Sequence, residues 1–182
     1  KRLFIGLALI AFAFVGTIAV LFLLGVLRTF SVPSEGMEPT ISKGDHILME
    51  RITFLFRTPR RGDIVVFTTE GIPSFGRSAI YVKRVAGEPG DRLRISDGRL
   101  YINDKHIALS NAAGEITYSL PPWSQRTVPR NDVSVPAGHF FVLGDNSIQG
   151  TDSRLWGSVP ARNIIGRVLS RVSPLGRVEQ VE

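Results

Sequence analysis

The feature that most constrains this chain is a long apolar run near its start. Residues Leu3 to Leu27 contain no charged side chain and a single hydroxyl, that of Thr17. As a helix, a run of about 25 residues reaches ~37 Å, enough to cross a hydrocarbon core of ~30 Å with some tilt. A cleaved signal peptide is the alternative, but its apolar region spans only ~7–15 residues and leads to small residues at a cleavage site. Here the run leads to Arg28, so the sequence predicts an uncleaved transmembrane anchor over residues 1–28.

The remaining residues, 29–182, predict a single, mainly β domain. The chain has 18 glycines and 11 prolines, and short runs rich in valine, isoleucine and phenylalanine lie between them. This pattern is typical of short strands joined by turns. It predicts strands at His46–Glu50, Ile64–Phe67, from Ile80, from Val135 and at Ile164–Val172, a hairpin turning at Ser96-Asp97-Gly98, a rigid break at Pro121-Pro122-Trp123 and a loose tail over Gly176–Glu182.

Composition limits the partners that this chain can bind. It has no cysteine, which excludes a disulfide framework and a thiolate metal site, and no metal site or cofactor is expected. The net charge of +6 is compatible with nucleic acid or with anionic lipid. Because the arginines are scattered and no nucleic-acid motif is visible, a lipid bilayer is the expected partner and nucleic acid is not. The charges on the two sides of the apolar run do not decide its orientation.

A short segment just after the apolar run carries the first family signal. It reads Val32-Pro33-Ser34-Glu35-Gly36-Met37-Glu38-Pro39-Thr40. It resembles the nucleophile segment of type I signal peptidases, which reads roughly Pro-Ser-x-Ser-Met-x-Pro-Thr. In this register the catalytic serine of the family falls on position 36, where this chain has glycine.

The second block of resemblance runs from Ile80 to Asp91 and contains Lys83. It is similar to the family pattern Tyr-Val-Lys-Arg-Val-x-Gly-x-Pro-Gly-Asp, in which the lysine is the general base. A lysine must be neutral to accept a hydroxyl proton, and burial against apolar groups lowers its pKa toward neutrality. Strand alternation predicts that Tyr81 and Lys83 share one face. No histidine of the chain lies in a motif.

The third block follows the strand expected from Val135. It resembles the family sequence Gly-Asp-Asn, a short gap, Asp-Ser-Arg-x-x-Gly-x-Val-Pro. The resemblance implies that Asp145, Asp152 and Arg154 brace the site through hydrogen bonds and ion pairs. The supporting positions are Asp145, Asn146, Gly150, Asp152, Ser153 and Arg154. Many members of the family have serine at the position of Gly150, where its hydroxyl can contact the lysine amine, which makes Gly150 a second departure.

Together the three blocks imply a coiled β-sheet or partial barrel on one N-terminal transmembrane helix, with the activity of signal peptidase I. Such an enzyme is a membrane-bound serine endopeptidase that removes leader peptides from exported proteins. The resemblance implies signal peptides as partners, the bacterial cytoplasmic membrane as the location and the outer face for the catalytic domain. It also implies that substrate contacts involve Met37, Pro39 and Tyr81.

Several apolar side chains near these motifs have two interpretations. They are Phe30, Met37, Ile41 and the segment Ile52–Phe56. Packing in the core is the simpler interpretation, and partial insertion of an apolar face into the lipid interface is the one that the family resemblance implies.

Position 36 leaves the activity of this sequence open. Gly36 keeps the backbone N–H, and Ser34 keeps the hydroxyl, that the family uses to bind the oxyanion. The glycine has three explanations: an inactive relative that binds signal-peptide segments without cleaving them, a laboratory substitution, or use of another hydroxyl. Ser34 is the nearest substitute nucleophile, followed by Ser31, Thr40 and Ser42. A shift of two residues along an extended chain moves Cα by ~6.6 Å, too far for the same attack geometry without rearrangement.

Two other classes of protein remain for comparison. A membrane-anchored binding module would hold signal-peptide-like segments without cutting them. A self-cleaving repressor-type protease shares the Ser–Lys chemistry, but no DNA-binding helices precede the domain, and the expected anchor argues against that class.

Overall fold

The computed structural model describes residues 2–111, 113–119, 132–172 and 178–180. Its three α-helices are α1 (Arg2–Leu23), α2 (Thr53–Phe56) and α3 (Ser153–Trp156), and a 3₁₀ turn spans Ala161–Asn163. The strands are β1 (Leu27–Ser31), β2 (His46–Glu50), β3 (Ile64–Thr68), β4 (Ile80–Gly87), β5 (Arg92–Ser96), β6 (Arg99–Ile102), β7 (Lys105–His106), β8 (Ser110–Asn111), β9 (Gly114–Glu115), β10 (Val133–Ser134), β11 (His139–Leu143), β12 (Val159–Pro160), β13 (Ile164–Val172) and β14 (Val178–Gln180). The predicted break at Pro121-Pro122-Trp123 lies outside the described residues.

Helix α1 is long and apolar enough to cross a membrane. Its segment Phe4–Leu23 has a mean hydropathy of 2.6, and none of it is buried against the rest of the chain. The helix ends four residues before the end of the apolar run, at Leu23, because Gly25 adopts a left-handed backbone conformation with φ +67°. Strand β1 begins at Leu27, so the helix leads almost directly into the sheet.

An eight-stranded antiparallel sheet forms the larger part of the fold. Its strand order is β1-β2-β13-β3-β4-β11-β12, with β14 paired to β13. The predicted mainly β fold is confirmed, and so are the strands expected at β2, β3, β4 and β13. The expectation of a loose tail is wrong for Val178–Gln180, because these residues pair with Ser170–Val172 at the end of β13.

A smaller four-stranded sheet, ordered β10-β5-β6-β7, packs beside the main one. The predicted hairpin joins β5 to β6, and its turn residues Asp97 and Gly98 both have positive φ, as a tight two-residue hairpin turn requires. An apolar core lies between this sheet and the ends of β4 and β11, where Ala86, Phe141 and Leu143 are buried. This core fixes the strand that carries Lys83.

The apolar residues near the first motif have different environments. Met37 and Ile41 are buried in a core cluster with residues of β2 and β3, so core packing is the correct interpretation for them and lipid contact is excluded. Phe30 is half-buried. The short helix α2 differs from these, because Leu55 is 76% exposed and Phe56 is 84% exposed.

Candidate active site

Position 36 lies in the long connection between β1 and β2. The base of this connection is closed by two backbone hydrogen bonds, from Val32 N–H to the Asp45 carbonyl (2.9 Å) and from Gly44 N–H to the Val32 carbonyl (2.8 Å). Burial of Met37 and Ile41 holds the part that follows. The result is that Gly36 is buried and fixed without a side chain of its own.

Lys83 projects from β4 toward position 36. The strand is paired with β3, with Lys83 opposite Val65, and the lysine is only 3% exposed. A Cβ atom built on Gly36 would lie 2.8 Å from Lys83 Nζ. The amine therefore occupies the place to which a side chain at position 36 would point.

Burial lowers the pKa of Lys83 below the usual value of a lysine. The negative charges of Asp152 and Asp145 act in the opposite direction, and the positive charge of Arg154 lowers the pKa further. Within the described part of the chain, the amine forms no hydrogen bond and no ion pair. A buried amine without a bound counter-charge favours the neutral form that a general base needs.

Three glycines, Gly36, Gly144 and Gly150, cluster at position 36, and the obstacle to a side chain at Gly36 differs from that at the other two. A Cβ on Gly144 would lie 2.4 Å from the Gly36 carbonyl oxygen, and one on Gly150 would lie 2.7 Å from the Asn146 carbonyl oxygen. Both obstacles are backbone atoms, which cannot move without moving the loop. At Gly36 the near obstacle is the end of the flexible Lys83 side chain.

The loop after β11 is held against position 36 by backbone contacts. Asn146 N–H donates a long hydrogen bond of 3.4 Å to the Gly36 carbonyl, and Gly150 N–H donates to the Asn146 carbonyl at 2.8 Å. A serine at position 150 would not fit this loop conformation, because its Cβ would lie too close to the Asn146 carbonyl oxygen. Gly150 is therefore required by the backbone of this chain, independently of any loss of a hydroxyl.

Behind the lysine lies a buried ion pair between Arg84 and Asp145. The guanidinium donates to the carboxylate at 2.9 Å and 2.7 Å, and the two side chains are 3% and 0% exposed. Arg84 also donates to the Gly62 carbonyl at 3.0 Å, and Thr40 donates its hydroxyl hydrogen to Asp145. The sequence alone predicts no role for Arg84, and it indicates Thr40 only as a substitute nucleophile.

A second buried pair, Asp152 with Arg154, braces the loop. Arg154 donates to Asp152 at 2.8 Å and 2.7 Å and to the Ser147 carbonyl at 2.8 Å. Asp152 also accepts a hydrogen bond from Gly144 N–H at 3.0 Å, which fixes the glycine that touches Gly36. Ser153 does not face the lysine, since its hydroxyl accepts from Val142 N–H at 3.0 Å.

A cleft of about 630 Å³ opens in front of the amine. Its lining combines the β1–β2 connection, the start of β4 and the loop after Asn146: Phe30, Ser31, Val32, Pro33, Ser34, Glu35, Gly36, Met37, Lys43, Ala79, Ile80, Tyr81, Val82, Lys83, Gln149 and Thr151. Of the residues predicted to contact substrate, Met37 and Tyr81 line the cleft and Pro39 does not.

Ser34 and Tyr81 mark two sides of this cleft. Ser34 is exposed, and no hydrogen bond joins it to Lys83 in the described residues. The ring of Tyr81 packs on Phe75 and Trp156, with centroids 5.3 Å and 5.5 Å away, so this wall is rigid. None of the histidines lines the cleft, and the described residues include no cluster of three metal-ligating side chains.

Comparison with known proteins gives one consistent family. Residues 4–173 match the family model described as signal peptidase, peptidase S26. The chain is 37% identical over 174 residues to signal peptidase I of Leptolyngbya laminosa, covering 90% of this chain and 79% of that protein. It is 36% identical over 168 residues to thylakoidal processing peptidase 1 of Arabidopsis thaliana, covering 89% of this chain.

The chain spans 46% of the length of that plant peptidase, so less than half of the relative is represented here. Among solved structures, a signal peptidase I from Enterococcus faecalis V583 aligns with a TM-score of 0.41 and 29% identity. The alignment covers 61% of this chain and 97% of that one.

Proposed function

This chain belongs to the signal peptidase family, peptidase S26, and we propose that its cleft binds leader peptides of exported proteins in the manner of a signal peptidase I. The family consists of serine endopeptidases, and its substrates are signal peptides. The observation that carries the proposal for this chain is Lys83, whose buried amine lies 2.8 Å from the point where a side chain at position 36 would begin.

The geometry supports a Ser–Lys mechanism for a chain with serine at position 36. The neutral Lys83 amine would take the hydroxyl proton while the oxygen attacks the peptide carbonyl, and the ammonium would then protonate the leaving amine. The backbone N–H of Gly36 donates no hydrogen bond to any described residue, so it is free to stabilise the oxyanion. The exposed hydroxyl of Ser34, on the same cleft, is the second proposed donor.

As the sequence stands, the same site favours a second function, which is binding without cleavage. No hydroxyl among the described residues is hydrogen-bonded to Lys83, so none replaces the missing nucleophile in this conformation. In serine proteases, removal of the nucleophile costs a factor of about 10⁶ in kcat and leaves the stabilisation that comes from the oxyanion donors and from binding. The unaltered chain is therefore expected to bind precursors and to cleave them very slowly.

The apolar helix and the related peptidases indicate that this protein is membrane-associated. The finer proposal is a single-pass protein of the bacterial cytoplasmic membrane with its sheet domain on the outer face. Two observations support a position close to the bilayer. Strand β1 follows α1 within four residues, and the exposed Leu55 and Phe56 present apolar surface on the neighbouring helix α2. We expect anionic lipid to attract the basic surface of the chain.

Cleavage of a purified precursor tests the proposed function. The full chain in detergent is incubated with a precursor whose leader ends in Ala-x-Ala, beside Gly36→Ser and Gly36→Ser/Lys83→Met. Gly76→Ser is the matched control, since Gly76 is exposed and a Cβ there would touch nothing within 4 Å. We expect Gly36→Ser to cleave at least about 10³-fold faster than the unaltered chain, and the double variant to lose that gain.

Two other outcomes would be decisive. If folded Gly36→Ser binds the precursor but does not cleave it, the site is a binding module and the peptidase proposal is overturned. If the unaltered chain cleaves as fast as Gly36→Ser, another nucleophile operates, and Ser34→Ala then identifies or excludes the nearest hydroxyl.

A further inference from the structure

The absence of a side chain at position 36 also changes what Lys83 itself can do. In a Ser–Lys pair, the amine is held by the hydroxyl, and the hydroxyl is the nucleophile. Here the amine has no hydrogen-bond partner in the described part of the chain, and it lines the cleft directly. A desolvated lysine in an apolar pocket is the kind of amine that forms Schiff bases with carbonyl compounds.

The charged groups around Lys83 leave its amine free. The guanidinium of Arg84 and the carboxylate of Asp145 bind each other, and Arg154 binds Asp152. The two carboxylates raise the pKa of Lys83, but burial, which lowers it, is the largest effect. The groups that face the amine from neighbouring elements are thus already paired, and none of them forms an ion pair with it.

We propose that Lys83 is a carbonyl-reactive amine, and that the cleft is a covalent binding site for small aliphatic aldehydes. The nitrogen attacks the aldehyde carbon, and the resulting carbinolamine loses water to give an imine. The C=N bond replaces C=O, the aldehyde oxygen and both amine hydrogens leave as water, and no oxidant or reductant is required. The step depends on the burial of the amine and on its access to the cleft, and it is independent of cleavage by the proposed peptidase.

The lining of the cleft defines the class of ligand. Apolar groups from three segments, Phe30, Met37 and Ile80, line the cleft, while Gln149 and Thr151 supply polar groups on the side of the loop. A short unbranched alkyl chain fits such a lining. Bulk at the carbonyl carbon does not, because Gly36 and Gly144 bring the backbone close to the amine.

The exposed lysines of the same chain provide internal controls. Lys43 lines the same cleft but is 61% exposed and lies 3.7 Å from Glu35, and Lys105 is exposed on β7. Exposed lysines are almost fully protonated at neutral pH and therefore react slowly with aldehydes. The comparison of Lys83 with Lys43 separates the effect of burial from that of location in the cleft.

Reductive alkylation measures the reaction. The full chain in detergent is treated at pH 7 with butanal and sodium cyanoborohydride, and the alkylation rate at each lysine is followed by peptide mass mapping. We expect Lys83 to be alkylated at least about tenfold faster than Lys105 or Lys43. Gly36→Ser and Gly36→Ala should slow alkylation of Lys83 at least about fivefold, because they fill the space in front of the amine, while Gly76→Ser should leave it unchanged.

Alkylation of Lys43 and Lys105 without faster alkylation of Lys83 would overturn the proposal. Equal rates at Lys83 in the unaltered chain and in folded Gly36→Ala would also overturn it, since the open position 36 would then have no influence. Neither result bears on cleavage by Gly36→Ser, so failure here is distinguishable from failure of the proposed function.

Discussion

The two sides of the cleft differ in how completely they are built. On the β4 side, Lys83 is backed by the buried pairs Arg84–Asp145 and Asp152–Arg154, in which each guanidinium donates two hydrogen bonds shorter than 3 Å to its carboxylate. On the opposite side, the connection that carries Gly36 is anchored by buried apolar residues and lacks only the side chain that would face the amine.

This difference shows that the glycine at position 36 is a local change. Buried charges are costly unless each is paired and hydrogen-bonded. The ion pairs Arg84–Asp145 and Asp152–Arg154 behind Lys83 must therefore remain complete for the fold to be stable. The side chain at position 36 carries no such structural role. It can therefore be missing, or be restored with only a small shift of the flexible Lys83 side chain, which is why the largest predicted effect is the gain of cleavage in Gly36→Ser.

The next largest effect is expected from breaking the buried Arg84–Asp145 ion pair. Arg84→Met leaves the Asp145 carboxylate buried without its partner, and we expect a loss of about 3–5 kcal/mol in the free energy of unfolding. Urea unfolding followed by tryptophan fluorescence measures this in the full chain in detergent. Arg92→Met is the matched control, because Arg92 is 50% exposed in its pair with Asp104, and its loss should stay below about 1 kcal/mol. Equal losses of unfolding free energy in the two variants would show that the buried Arg84–Asp145 pair does not support the fold.

A smaller effect compares Gly150 with Gly36, the two positions at which the family resemblance predicts serine. Gly150→Ala places a Cβ 2.7 Å from a backbone carbonyl, and we expect a loss of about 1–3 kcal/mol in the free energy of unfolding. Gly36→Ala meets only the movable end of Lys83, and its loss should be below about 1 kcal/mol. Chemical denaturation of the two variants side by side tests this. If Gly36→Ala is the more damaging change, position 36 is the structurally constrained one and the comparison is reversed.

The smallest effect is a pH-dependent gain of stability in Lys83→Met. Because the pKa of Lys83 is lowered by folding, the unfolded chain binds more protons than the folded chain between that lowered pKa and the usual value near 10.4. The stability of the unaltered chain therefore rises with pH in this window. Lys83→Met lacks this dependence, so its advantage should be largest at the acidic end and should shrink as pH approaches 10.

Unfolding at pH 7 and at pH 9.5 checks the sign, with Lys105→Met as the control for loss of an exposed charge. An advantage of Lys83→Met that grows with pH would mean that the folded state favours the charged amine.

The sequence predicted the strands well where alternation and turn residues agree. Residues Ile164–Val172 and the hairpin turn at Asp97-Gly98 are examples in which short-range pattern alone determines the structure. The three-residue strand β14 was missed because its only support is pairing with β13, and so short a segment carries no periodicity of its own.

The contacts of Asp145 with Arg84 and Thr40 could not be predicted from residue pattern. Arg84 and Asp145 are separated by 61 positions, and Thr40 and Asp145 by 105, so their contact depends on how the strands are arranged. The steric requirement for Gly150 could not be predicted for the same reason, because only the structure shows the Asn146 carbonyl oxygen 2.7 Å from the point where a Cβ would lie.

The ionisation of Lys83 decides whether this site can provide a general base. The chain has lysines at positions 1, 43, 83 and 105, so their side-chain ¹³Cε signals can be followed separately by NMR in detergent micelles, with Lys83→Arg for assignment. We predict that Lys83 titrates below the usual pKa of a lysine side chain, near 10.4, because burial disfavours its charged form. If Lys83 titrates at or above that usual value, its amine is an ordinary ammonium group, and the claim that Lys83 is a buried base facing a position without a side chain is contradicted.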